Sequence, residues 1–132
     1  MIFVDSSVFI YAVGRSHPLR DRAQQFFLEK REAGAGLVTS AEVLQELLHV
    51  YLPVQRMGTL DAALDLATRG VDRIFPVTKA AVMLARDLVE KHPGLSARDL
   101  LHLAVCHLNG IRAIMTFDRM LQAAMSGATP QT

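Results

Sequence analysis

Met1-Ile2-Phe3-Val4-Asp5-Ser6-Ser7-Val8-Phe9-Ile10-Tyr11-Ala12 opens the chain and decides how the rest is read. A short apolar run reaches an aspartate, passes two hydroxyl residues and turns apolar again. That pattern predicts a buried strand delivering Asp5 to the edge of a sheet, with a helix starting at once. A carboxylate in that position is either a helix N-cap or the first member of an acidic pocket. The remaining 120 residues of the 132 decide between the two.

Strand and helix signals alternate from there on. Gly14 ends the first short helix (Ser6 to Val13), and Ser16 caps a second, with Pro18 in its first turn and Leu19, Ala23, Phe26 and Phe27 at helical spacing. Gly36-Leu37-Val38-Thr39 is a second strand. Ser40 then caps a helix striped by Val43, Leu44, Leu47, Leu48 and Tyr51. A shorter helix starts at Thr59. Ile74-Phe75-Pro76-Val77 is a third strand, which its proline assigns to a sheet edge. Thr78 and Ser96 cap the next two helices, the first ending at His92-Pro93-Gly94. Arg112 to Thr116 is the fourth strand, and Asp118 starts a last short helix. No Asn-Gly or similar hairpin signal joins two strands. The expected architecture is therefore α/β: a three-layer α/β/α sandwich around a parallel sheet of about four to five strands, in one domain over residues 1–125, with a flexible tail over 126–132.

Composition narrows the function classes. The chain is 51% hydrophobic and 20% charged, which suits a folded globular domain. Cys106 is the single cysteine, so neither an internal disulfide nor a zinc site of several thiolates is available; a small buried side chain is the reading its apolar helix supports. Asp5 interrupts the N-terminal apolar run too early for a signal peptide, and no uncharged stretch reaches the ~20 residues of a membrane span. A cytoplasmic protein with no membrane partner is expected. The net charge of +1 comes from 14 basic and 13 acidic residues. If four acids share one pocket, 14 basic residues face 9 acids elsewhere, a surface able to attract a polyanion.

In a parallel sheet, ligands bind beyond the carboxyl ends of the strands. Asp5 ends the first strand, and Asp118 lies two residues beyond the fourth. Asp99 sits in the first turn of the helix before that strand, which runs back to start at the same edge. Glu46 is six residues past Ser40, about 9 Å along a helix that begins there. Each has a plain structural alternative: N-caps for Asp5 and Asp118, a Ser96-x-x-Asp99 capping box for Asp99, a solvated face for Glu46. Two arguments favour a pocket. Leu100, Leu101, Leu103, Ala104, Val105 and Leu108 leave Asp99's helix apolar nearly all round, so its carboxylate needs a partner. Glu46 lies at the margin of its helix's apolar stripe, whereas Glu42 falls further toward water. Clustered carboxylates repel unless a cation joins them, and oxygen-only donors suit Mg2+ or Mn2+. The matching chemistry is phosphodiester hydrolysis.

The chain resembles the PIN-domain family, and within it the VapC-type toxin ribonucleases, over essentially its whole length. The resemblance rests on Val4-Asp5-Ser6-Ser7-Val8-Phe9-Ile10-Tyr11-Ala12, on Thr39-Ser40 followed by Leu44-Gln45-Glu46-Leu47, on Leu95-Ser96-Ala97-Arg98-Asp99-Leu100-Leu101-His102-Leu103-Ala104, and on Ile114-Met115-Thr116-Phe117-Asp118. It implies a Mg2+- or Mn2+-dependent endoribonuclease, the toxin of a toxin–antitoxin pair, with its acidic quartet at Asp5, Glu46, Asp99 and Asp118. It further implies auxiliary hydroxyls at Ser7 and Thr116, a homodimer, an RNA substrate and a cognate small antitoxin. Arg98 and Arg119 flank two of the acids and are candidate RNA contacts.

Three rival readings are weaker. Glu46-x-x-His49 and Asp99-x-x-His102 have the spacing of a helical di-metal carboxylate site. His49 projects opposite the apolar stripe, however, His102 is expected to point away from Glu46, and the strand signals do not belong in a bundle. A phosphoacceptor domain wants an aspartate after the third strand, where Thr78 and Lys79 stand. A non-catalytic PIN-like binding module has no need to hold four repelling carboxylates together.

Overall fold

The computed structural model describes residues 1–127. Among these residues four strands form one sheet: β1 (Ile2–Val4), β2 (Leu37–Ser40), β3 (Arg73–Phe75) and β4 (Ala113–Met115). They lie in the order β3-β2-β1-β4, and every pair is parallel. Ile2 pairs with both Leu37 and Ala113, so β1 is central and ends level with its neighbours. All four residues of β2 are buried, as expected of a strand covered on both faces. Among the described residues there is no fifth strand.

Among the described residues, seven helices cover the sheet: α1 (Ser6–Ala12), α2 (Pro18–Ala33), α3 (Ala41–Tyr51), α4 (Met57–Arg69), α5 (Lys79–Asp87), α6 (Ala97–Leu108) and α7 (Arg119–Met125). The path from β1 through β2 to β3 moves one way along the sheet, and the step to β4 returns past β1 to the far edge. Right-handed crossovers therefore place α1 to α4 on one face and α5 and α6 on the other. The contacts agree, with α1 meeting α2, α3 and α4, and α5 packing on α6. Phe3, Val4, Val8, Phe9, Val38, Leu47, Leu103, Val105 and Leu121 fill the core between these layers. Cys106 is buried there, and burial pushes its thiol up to about 12. No helix among the described residues is long and apolar enough to cross a membrane.

The elements match the sequence reading, with shifts at their ends. Ser40, Thr78, Ser96 and Asp118 cap α3, α5, α6 and α7 as expected. The cap of α2 is His17 rather than Ser16: its Nδ1 accepts the Leu19 N–H at 3.0 Å, and Pro18 occupies the first helical position. α4 starts at Met57, two residues before Thr59, because the chain reverses at Gln55 with φ of 54°. α5 ends at Asp87 rather than at His92, and turns carry the chain on to Ser96. β3 is an edge strand, as Pro76 indicated, but it stops at Phe75. Ser126 caps the C-terminus of α7, and the rest of the expected tail, after Gly127, lies outside the described residues.

Candidate active site

Asp5 leaves the end of the central strand, and its backbone N–H donates to the Met115 carbonyl of β4 at 3.0 Å. Its backbone is extended, so the side chain turns back to cap α1: Oδ1 accepts the Ser6 N–H at 2.8 Å. Oδ2 accepts two hydroxyls, Thr116 Oγ1 at 2.7 Å and Ser7 Oγ at 3.1 Å. Both hydroxyls are themselves held. Ser7 Oγ accepts the Phe117 N–H at 3.2 Å, and Thr116 Oγ1 accepts the Asp118 N–H at 3.0 Å. The loops after β1 and β4 are thus laced together around one carboxylate that is 5% exposed. Ser6 Oγ also lies 3.4 Å from Oδ1, so donors surround both oxygens.

Glu46 approaches from α3 and is buried, 6% exposed. Ser6 Oγ donates to its Oε2 at 2.6 Å, and His102 Nε2 lies 2.5 Å from its Oε1. Arg98 Nη1 stands 3.8 Å from Oε2. Burial alone would push the Glu46 carboxyl up. The hydrogen bond and charge of His102, then Ser6 and Arg98, outweigh it and hold the group below the usual carboxylate range.

Asp99 is half-buried in the first turn of α6, its N–H donating to Ser96 Oγ at 3.1 Å. Its carboxyl is held above the ordinary value, first by burial and then by the negative charges of Asp118 and Asp5. Asp118 is exposed at the start of α7, where Oδ1 accepts the N–H groups of Met120 and Leu121 at 2.9 and 3.0 Å. Its other oxygen carries no hydrogen bond among the described residues.

All four acids therefore gather at the carboxyl edge of the sheet, and the two hydroxyl residues stand among them. Glu42 is not in this network. Arg98 is partly exposed and leans on Glu46; Arg119 is exposed at the start of α7. One expectation is overturned. His102 does not point away from Glu46 but touches it, and lies 3.6 Å from Asp5 Oδ1. A projection of α6 alone places His102 one turn below Asp99; only the packing of α3 against α6 across the edge brings Glu46 onto it. Ser6 was also missed. Its signal was present, since a residue directly after a capping aspartate begins the helix beside it. His49 is exposed, and the Glu46–His49 pairing does not occur.

Carboxylate oxygens of Asp5 and Glu46 and a ring nitrogen of His102 lie within 4.8 Å of one another; the nitrogen is taken up by Glu46, and Asp99 and Asp118 stand outside this tight group. Asp99, raised by burial and then by Asp118 and Asp5, is in the state a cation would relieve. The donor set fits a hard divalent ion with a largely carboxylate shell.

Comparison with known proteins agrees with this geometry. The PIN domain family model matches residues 2–125. Ribonuclease VapC23 of Mycobacterium tuberculosis is 55% identical over 124 residues, spanning 94% of this chain and 98% of the relative. Ribonuclease VapC13 of the same organism is 41% identical, over 90% of this chain and 91% of its own. The crystal structure of the M. tuberculosis toxin VapC20, described as cleaving the sarcin–ricin loop, superposes with a TM-score of 0.80 at 24% identity, covering 94% of this chain and 95% of that one. VapBC2 of Rickettsia felis, solved bound to a fragment of its promoter DNA, gives 0.67 at 14% identity, over 98% and 94%. At these identities the two structures speak for the fold alone. The family match and the close relatives settle membership: the chain belongs to the PIN-domain family, in its VapC branch.

Proposed function

We propose that this protein is a divalent-metal-dependent endoribonuclease, the toxin of a toxin–antitoxin pair. One observation carries the reading. Carboxylates from four separate elements stand at one sheet edge, and Asp99 is raised first by burial and then by the charges of Asp118 and Asp5. The ribonuclease names of relatives at 41–55% identity point the same way.

Asp5, Asp99, Asp118 and Glu46 are the residues that hold Mg2+ or Mn2+ in this reading. When bound, such an ion polarises the scissile phosphoryl group, acidifies a water and offsets charge on the leaving oxygen. The chain's own groups set the stage for that. Thr116, Ser7 and the Ser6 N–H fix the Asp5 carboxylate in a single orientation. Asp118 is tied to the same hydroxyl through its backbone, so acids from both loops move as one body. Arg98 and Arg119, at the rim, are placed to meet the RNA phosphates on either side of the cut. Residues 1–125 act as one nuclease unit working in the cytoplasm, assembled as a homodimer and silenced by a small cognate antitoxin. Exposed Val82, Met83, Leu108 and Met120 on α5, α6 and α7 supply apolar surface of the kind assembly covers.

The test is cleavage of RNA by the purified chain with Mg2+ or Mn2+, with and without chelator. Asp99→Asn should lose at least about 100-fold in rate, the scale on which one site group commonly matters. Undiminished cleavage by Asp99→Asn would remove the proposed site. A chain that neither cuts any RNA nor binds metal by calorimetry would be a binding module. Growth arrest on expression, relieved by co-expressing the adjacent small gene, is the expected signature of a toxin.

A further inference from the structure

α6 buries Leu100, Leu103, Ala104, Val105 and Cys106, and among them one ring that carries two nitrogens, His102. Only 1% of it is exposed, and it packs against Phe3 with ring centroids 5.5 Å apart. Nδ1 is buried without a hydrogen-bond partner among the described residues. An orphaned buried nitrogen is destabilising, a cost that a leucine at the same position would avoid. The return must come from Nε2. That atom lies 2.5 Å from Glu46 Oε1 and 3.6 Å from Asp5 Oδ1.

An ionised carboxylate only accepts hydrogen bonds, so Nε2 carries the proton and donates it. Glu46 has three rotatable side-chain bonds and reaches the site from one turn into α3. Ser6 fixes one of its oxygens at 2.6 Å, and His102 fixes the other. With both oxygens held, the carboxylate plane is set. With Ser6 alone it can swing, because Arg98 is 3.8 Å away and partly exposed.

We propose that His102 is a positioning residue: its Nε2–H anchors Glu46 and, beneath Asp99, locks α3, β1 and α6 at the spacing the acidic site requires. It touches neither RNA nor the scissile phosphate. This inference rests on the nuclease reading for its consequences but not for its geometry.

Three substitutions separate positioning from mere packing. Glutamine can place a nitrogen where Nε2 stands, asparagine where Nδ1 stands, and leucine none. In the full chain, His102→Leu should lower the melting temperature, because it leaves the buried Glu46 carboxylate short of a donor, and should bind Mn2+ about 10-fold or more weakly by calorimetry, as loss of a group orienting a ligand commonly does. Its kcat should fall with KM little changed. His102→Gln should recover most of both losses, and His102→Asn should not. Wild-type Mn2+ affinity and rate in His102→Leu would overturn the proposal, as would His102→Gln failing like His102→Leu while folded. A measurement free of activity covers variants that do not fold: 15N NMR of the wild-type ring in chelator. A proton on Nε2, hydrogen-bonded and slow to exchange, is expected; a ring protonated on Nδ1 alone would overturn the anchor. If the wild-type chain neither binds Mn2+ nor cuts RNA, the nuclease reading fails, and the NMR result still decides the anchor.

Discussion

Asp99 is under two opposed demands. Burial, then Asp118 and Asp5, raise its carboxyl, so the folded chain binds that proton more tightly than the unfolded chain does. A raised acid therefore subtracts stability as pH rises through its titration range. In chelator at pH 7, Asp99→Asn should melt higher than the natural chain, because the amide carries no charge for burial and for Asp118 and Asp5 to oppose. The difference should fade as the pH drops through the ordinary aspartate value of about 3.9 and vanish about one pH unit below it, where both states are protonated. Equal melting temperatures at pH 7 would mean that the carboxylates do not crowd one another. Thr116→Val makes the opposite expectation. It removes the 2.7 Å donor to Asp5 and the acceptor of the Asp118 N–H, so urea unfolding should show a loss of about 1–2 kcal/mol together with slower cleavage. Cys106, pushed up to about 12 and buried, should resist iodoacetamide until the chain is unfolded. The positions of Asp5, Asp99 and Asp118 could be read from sequence because each stands beside a strand end or a helix start. The parts played by Ser6 and His102 could not, since they depend on how α3 crosses α6.

Helix starts position this site. Three of the four acids sit at or within a turn of an N-terminus, and the serine that caps α6 fixes where Asp99 begins. Ser40→Ala removes a buried cap whose Oγ accepts the Val43 N–H, and should cost about 1 kcal/mol in urea unfolding. Ser96→Ala should cost a similar amount and slow cleavage more than Ser40→Ala does, because the turn it loosens carries Asp99 itself. Equal rates in the two variants would show that the cap serves α6 alone. Caps were legible because Ser, Thr and Asp before an apolar periodic run have one dominant local use. Element ends set by longer-range turns were less so: the left-handed Gln55 and the early finish of α5 carry no comparable signal.

For the molecule as a whole, parallel topology followed from alternating signals and absent hairpins, whereas strand order did not, because right-handed crossovers permit β4 on either edge. Locating the acids needed only the carboxyl edge, which is common to all those orders. With the four site acids set apart, 14 basic residues face 9 acids, so RNA binding by a cleavage-dead variant should weaken steadily as salt rises; a salt-independent affinity would exclude a role for this surface. The proposed homodimer should appear in light scattering at twice 14.5 kDa. The central position of β1 has a consequence in time. Asp5, at the end of β1, is made before the hydroxyl that orients it, Thr116, which follows 111 residues later beside β4. A nascent chain holds only an open sheet edge and a loosely held aspartate until its final strand docks. Until β4 docks, Asp5 lacks the hydroxyl that orients it, and translation supplies an interval in which the proposed antitoxin can meet the chain.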